Sequence, residues 1–410
     1  MAAPSGARDR ARSVRPAIAG LAVAVVVALG AGGAALLVSA GGKPLVGSGT
    51  SEAATASRVP APSATADAGA TSSATATIPP PTPAPTPQLV ADPLTGLLVS
   101  PAAAIQHPIA VMIDDHVLAR PQSGFNAASI VWQAPAEGGI PRYMLVFQDQ
   151  VPAGVGPVRS SREYFIEWAS EWRALYVHAG GSPQALQTLG AKGQGQWVYN
   201  GEYFHWDGVY LWRVNTDGRF APHNVFTDGA HLRAFAAKLG AADGPIKPAW
   251  TFDAGAMPQD RPQGTTLTVA YPYEAIQYRY DPMSNTYRRY IRAPLGGAFK
   301  PQVDAADHRQ VAPANVVILQ MAFGPLNDGH PNKHRLEAAD VGHGTAYIST
   351  NGVTVKGTWR KASPTAPTLL FGPDGQPVTL TAGQTFVQVM TLTDTISLKA
   401  GHLSPRPVSV

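Results

Sequence analysis

The stretch "GPVRSSREYFIEWASEWRALYVHAGGSPQAL", Gly156 to Leu186, decides what kind of fold this chain can adopt. Phe165, Trp168 and Trp172 recur at helical spacing while Glu163, Glu167 and Glu171 occupy other faces, so "SREYFIEWASEWRAL" is expected to form an amphipathic helix. "ALYVHAG" is dense in β-favouring side chains and runs into a Gly-Gly turn, which marks a strand ending at His178. Ser182 then stands at an N-cap with Pro183 at the first helical position, the start of a second helix. Helix, strand and helix in direct succession imply a layered α/β or α+β fold.

Outward from this stretch, "HPIAVMID", "ASIVWQA" and "RYMLVFQ" are further strands bounded by turn residues, and "DGAHLRAFAAKLG" is a third helix. At "GAADGPIKP", Gly240 to Pro248, the character changes: helix signals become scarce and hairpin signals frequent. "IQYRYDPMSNTYRRYI" gives two alternating aromatic strands about a polar turn, "NVVILQM" and "TFVQVMTL" read as strands, and Thr350–Gly352 and Pro373–Gly375 carry turn chemistry. The expectation is a mixed α/β domain over residues 92–243 followed by a smaller β-rich domain over 244–410.

The residues before 92 belong to neither. Residues 1–15 hold Arg8, Arg10, Arg12 and Arg15, a basic tail expected to stay in the cytoplasm. Residues 16–42 are uncharged and long enough for one bilayer-spanning helix, which takes about 20 apolar residues. That run exceeds a secretory signal's apolar region, so an uncleaved signal anchor is expected, with cleavage after "VSA" at Val38–Ala40 as the alternative. Residues 43–91 are almost entirely Ala, Ser, Thr, Pro and Gly, a disordered tether. The implied location is the cell membrane, single-pass, with everything after the anchor extracytoplasmic.

Composition excludes several chemistries. There are no cysteines, hence no disulfides, thiolate nucleophiles or thiolate metal sites. The formal charge of +4 is concentrated at the N-terminus, and from residue 92 onward 25 Lys and Arg face 24 Asp and Glu. Bulk electrostatics therefore gives no reason to expect a nucleic-acid partner, and any anion must be held by a local cluster. No nucleophile elbow, phosphate loop or dinucleotide fingerprint is present, and no cofactor is expected.

Local clusters exist. Ser160 with Glu163 three residues on reads as a capping box, which leaves Arg159 and Arg162 at the positive end of the helix dipole, where cations are unfavourable. Arginine forks beside free helix N–H groups are the chemistry of phosphate and carboxylate binding. The expectation is a polar cleft in which Arg159 and Arg162, with Arg142 or Arg120, meet the N-terminus of the helix starting at Ser182, with Glu137 at the edge. Ser160, Gln122 and Asn224 complete the candidate ligand set. Glu137, His178 and His223 are candidate acid and base groups, His178 because it stands at an exposed strand end. His223 also reads as a satisfied structural histidine. Asp114 and Asp115 are weak metal candidates, since neighbours on an extended chain point to opposite sides.

These motifs in this order resemble the YerB-like family of bacterial extracytoplasmic proteins. The resemblance runs through "PLTGL" (Pro93–Leu97), "IAVMIDDH" (Ile109–His116), "ARPQSGF" (Ala119–Phe125), "AEGGIPRYMLVFQ" (Ala136–Gln148), "GPVRSSREYF" (Gly156–Phe165), "YVHAGGSPQAL" (Tyr176–Leu186) and "APHNVF" (Ala221–Phe226), and continues to Leu392. It implies an extracytoplasmic protein and supplies no catalytic assignment. The family's lipoproteins carry a lipid-bearing cysteine that this chain lacks, so its anchor is expected to be the helix. The family's usual Asp-Asn is here Asp114-Asp115. Three functions fit: binding of an anionic cell-wall glycan or polymer in an arginine-rich cleft, an envelope hydrolase or transferase using Glu137 with His178 or His223, and a protein-interaction scaffold with structural arginines.

Overall fold

The computed structural model describes residues 88–403. The expected basic tail (1–15), the expected anchor (16–42) and all but the last four residues of the expected tether (43–91) lie outside the described residues. Within them, no helix is long and apolar enough to cross a membrane. Val90–Ala91 already pairs antiparallel with Leu98–Val99, so ordered structure begins just before the expected boundary at residue 92.

The first half supplies strands β1 (Ile109–Asp114), β2 (Ile130–Ala134), β3 (Arg142–Phe147), β4 (Leu175–His178) and β5 (Tyr199–Glu202). Its main helices are α1 (Glu163–Ala169), α2 (Pro183–Lys192) and α3 (Gly229–Leu239). The second half adds β6 (Thr266–Ala270), β7 (Ala275–Asp281), β8 (Thr286–Arg292), β9 (Lys300–Pro301) and β10 (Asn315–Gln320). It continues with β11 (Gly342–Thr350), β12 (Val353–Lys361), β13 (Leu369–Phe371), β14 (Thr385–Met390) and β15 (Thr395–Lys399).

Ten strands form one sheet in the order β13-β12-β11-β10-β14-β2-β3-β1-β4-β5. The seam lies between β14 and β2, which run parallel with Thr385 opposite Ile130 and Gln388 opposite Gln133. Strands from both sides of the expected boundary at residues 243 and 244 therefore share one sheet, which joins the two halves. The physical reason is that "SIVWQA" and "TFVQVM" are buried along their whole length and need a hydrogen-bonded neighbour on each edge. Five strands of the second half form another sheet, ordered β9-β8-β7-β6-β15.

The protein is mostly sheet with few helices. The α-helices do fall in the first half; among the described residues none follows Leu239. The expected mixed α/β character of that half rests on these few short helices beside its strands.

Strand alternation sets what each face of the large sheet packs against. Ile109, Val111 and Ile113 of β1 join a cluster with Leu232 and Phe235 of α3 and with Leu267, Ile276 and Tyr278 of the smaller sheet. Ala110 and Met112 belong to a second cluster with Phe165, Ile166 and Trp168 of α1 and Leu189 of α2. Trp168 stacks on Trp132 of β2 with ring centroids 4.5 Å apart, a pair that contributes about 0.5–1.5 kcal/mol beyond area burial and pins α1 to the sheet.

Candidate functional site

β1 ends at Asp114 and Asp115 follows it, and the extended chain sends the two side chains to opposite faces. Asp114 and Asp115 therefore cannot share a metal, and no group of three or more metal-ligating side chains occurs among the described residues. Each aspartate instead organises its own polar cluster.

Asp114 lies opposite Arg142 in the β1–β3 register. Its Oδ2 is 2.6 Å from His223 Nδ1 and 3.2 Å from Arg159 Nε. Burial pushes the Asp114 carboxyl up, but the His223 hydrogen bond and then the Arg142 and Arg159 charges outweigh it and hold the group at about 2. Glu137 stands in the turn before β3. Arg142 Nη2 donates to its Oε1 at 2.8 Å and Arg162 Nε to its Oε2 at 2.9 Å. Burial again acts upward, and Arg142 followed by Arg162 brings this carboxyl down to about 2.

The backbone explains why the arginines converge. Residues 158–161 do not yet enter the helix; they stay extended, with Arg159 N donating to Met112 O and Ser161 N to Gly180 O. The N-cap of α1 is Arg162, without a side-chain cap bond, so the capping box at Ser160 is not formed. Glu163 takes the first helical position and accepts from Thr188 Oγ1 at 2.6 Å. Ser160 Oγ accepts from Arg162 Nη1 at 3.3 Å. Held flat between the ends of β1 and β4, this segment delivers Arg159 and Arg162 toward Asp114 and Glu137.

Three guanidinium groups thus face two carboxylates. Arg142 has only 6% of its surface exposed, and its Nε and Nη1 have no hydrogen-bond partner. Burial and then the charge of Arg142 lower the pKa of both Arg159 and Arg162, the signature of cations crowded together. Arg213 adds a fourth positive charge near Arg159. Next to them is an aromatic surface: His116 stacks on His223 at 4.7 Å, and the exposed Phe220 lies edge-on to His223.

Other expected members are placed elsewhere. His178 is fully buried, not exposed; its ring nitrogens meet Gly180 O at 2.9 Å and Asn200 Oδ1 at 2.8 Å, and Glu202 lies 3.3 Å away. β5 covers the strand end that would have left it free. Ser182 is the N-cap of α2, as its sequence suggested, and its hydroxyl is occupied by Ala185 N at 3.2 Å. Asn224 accepts from Arg213 Nη1 at 2.7 Å and donates to Asn215.

Arg120 and Gln122 sit on the other face with Asp115. Arg120 Nη2 donates to Asp115 Oδ1 at 2.8 Å and also binds Glu274. Gln122 Nε2 reaches Asp114 O at 3.1 Å, and Gln133 Nε2 bridges Asp115 and Glu274 at 2.6 and 2.8 Å. Arg289, fully buried, donates to Tyr278, Tyr143, Gln302 and Gln133. Burial and then the Glu274 charge push the Asp115 carboxyl well up, against the pull of Arg120. Sequence reading missed Glu274 and Arg289. A signal existed for the arginine: Tyr287, Arg289 and Ile291 share the buried face of an alternating strand.

Residues 94–242 match a family described as "Protein of unknown function (DUF3048) N-terminal domain", and residues 267–387 match its C-terminal domain. The chain is 28% identical over 320 residues to YerB of Bacillus subtilis (strain 168), whose given name is that of a lipoprotein, covering 76% of this chain and 89% of that protein. A crystal structure of YerB from Bacillus subtilis superposes with a TM-score of 0.64 at 25% identity, covering 75% of this chain and 99% of that one. Both family segments are present in order, separated by residues 243–266, where helices give way to hairpins; the chain belongs to the DUF3048 family, the YerB-like proteins.

Proposed function

We propose that this protein is a membrane-attached extracytoplasmic binding protein whose Asp114–Glu137 cluster holds an anionic group of an envelope glycan or wall polymer. The observation that carries this reading is the surplus of arginine over carboxylate, with buried N–H groups of Arg142 left without an acceptor. An unpaired buried donor costs about 1–3 kcal/mol, which an incoming carboxylate or phosphate oxygen recovers. The stacked His116 and His223 rings and exposed Phe220 offer apolar faces for the rest of the ligand. Attachment and export rest on the uncharged residues 16–42 behind four arginines and on the lipoprotein name of the Bacillus relative.

The test is calorimetric titration of the 410-residue chain with phosphate, citrate and soluble wall fragments. Arg159→Ala is expected to weaken binding about tenfold or more, the loss of one charge-assisted contact of about 1.5–3 kcal/mol. Equal binding by the wild type and by this variant would refute the anion seat.

A second reading, hydrolase or transferase, is favoured by one contact, the 2.6 Å Asp114–His223 pair, which orients an imidazole as in acid–base catalysis. Glu137 is not its base: held at about 2 by two arginines, it is a weak proton acceptor at neutral pH. This reading requires turnover of a wall fragment that His223→Ala abolishes while binding persists.

A further inference from the structure

On the Asp115 face of β1, away from the Asp114 cluster, a pocket of about 390 Å³ opens between the loop after β1 and the smaller sheet, a volume in the lower range of small-molecule sites. Val117 and Val303, each 41% exposed, line it together with Ile291 and Ala293. Its polar lining includes Arg120, Lys300 and Gln302.

Gln302 is 5% exposed, and its Oε1 accepts from Arg289 Nη1. A guanidinium cannot accept, so this bond fixes which end of the amide is oxygen. The other end, Nε2, is a buried donor without a hydrogen-bond partner, and so is Arg120 Nε. The two residues that carry these unpaired donors, one of them cationic, both line the pocket with its apolar walls, and exposed Lys300 adds a second positive charge. A carboxylate satisfies two such donors with its two oxygens. The apolar walls require that it carry a hydrocarbon body.

We propose that this pocket is a second, separate ligand site that takes a small amphiphilic carboxylate, its oxygens on Gln302 Nε2 and Arg120 Nε and its apolar body between Val117 and Val303. It is independent of the wall-polymer reading, which uses the opposite face of β1.

The test is titration of the 410-residue chain with hexanoate, 1-hexanol and inorganic phosphate. Hexanoate is expected to bind saturably, with hexanol at least tenfold weaker and phosphate, which the Asp114 side takes, failing to displace it. Val303→Trp, which fills the pocket from its accessible side, is expected to abolish hexanoate binding, and Arg159→Ala to leave it unchanged. Should Val303→Trp fail to fold, as judged by its melting transition, Val117→Trp reads the same blockage. No saturable binding of hexanoate overturns the proposal, as does equal binding of hexanol or ready displacement of hexanoate by phosphate. Undiminished binding in a folded tryptophan variant, or its loss in Arg159→Ala, also overturns it.

Discussion

Asp114 and Asp115 are neighbours in sequence and occupy two electrostatically different worlds. On the Asp115 side two carboxylates, Asp115 and Glu274, meet two guanidinium groups, Arg120 and Arg289, and Gln133, Gln388, Tyr143, Tyr271 and Tyr278 take up further hydrogen bonds. That network sets two carboxyl groups against two guanidinium groups and joins the large sheet to the smaller one. On the Asp114 side two carboxylates face three arginines, and Glu137 and Arg159 keep 28% and 25% of their side-chain surface exposed. The contrast teaches that a count of buried polar residues does not separate structure from function. What separates them is whether the charged groups are matched in number within the protein.

The largest effect is expected where the balance is complete. Arg289→Met leaves Asp115 and Glu274 without one of their two counter-charges and strips partners from two tyrosines, so urea denaturation should show a loss of about 3–5 kcal/mol. A loss below about 1 kcal/mol would mean that the two clusters do not differ in the way described.

Glu137→Gln tests the other side, with an expected cost of about 1–3 kcal/mol from two arginines losing their acceptor charge. It also alters the acid limb. Glu137 and Asp114 sit at about 2 in the folded protein against ordinary values of 4.5 and 3.8. Their contribution to stability is therefore complete above the unfolded values and is lost as the pH falls from about 4.5 toward 2. Melting temperature followed down this range should decline less steeply in Glu137→Gln.

A third carboxylate sharpens the comparison because another carboxylate, not an arginine, stands beside it. Asp340 is buried next to Glu167, and burial followed by the Glu167 charge pushes it up to about 8. The folded state holds the proton that the unfolded chain releases near 3.8, so stability falls as the pH rises from about 4 to 8. Asp340→Asn should raise the melting temperature by roughly 2–4 °C or more at pH 8 and little at pH 4. An equal gain at both pH values would show that the proton linkage is absent.

The smallest stability effect is expected at Arg159. Its attraction to Asp114 is offset by burial and by Arg142, so Arg159→Ala should change the unfolding free energy by less than about 1 kcal/mol. A larger loss would move Arg159 into the structural class with Arg289.

Much of the fold was legible. The apolar runs at Ile109–Asp114 and Asn315–Gln320, the alternating strand at Thr286–Arg292 and the helices at Ser182 and Asp228 formed where local chemistry placed them. Ser182 succeeded as a cap because a serine before a proline satisfies a helix end without outside help. Ser160 failed because a competing interaction won: the strand-like contacts of residues 158–161 with Met112 and Gly180 delayed the helix by two residues. His178 looked exposed because nothing nearby in sequence announces that β5 will cover it.

By itself the sequence determined which runs become strands or helices, that Asp114 and Asp115 point apart, and that Arg142, Arg159, Arg162 and Glu137 are polar residues too numerous for capping alone. Those are consequences of periodicity, capping and charge, which act over a few residues. Tertiary structure alone decided that strands from both halves would join in one sheet at the β2–β14 seam, that Arg120 would leave its expected partners for Glu274, and that Arg142 would keep unanswered donors. The reason is that hydrogen bonds between strands and ion pairs in the interior join residues more than a hundred positions apart, and no local pattern encodes which distant partner will close them.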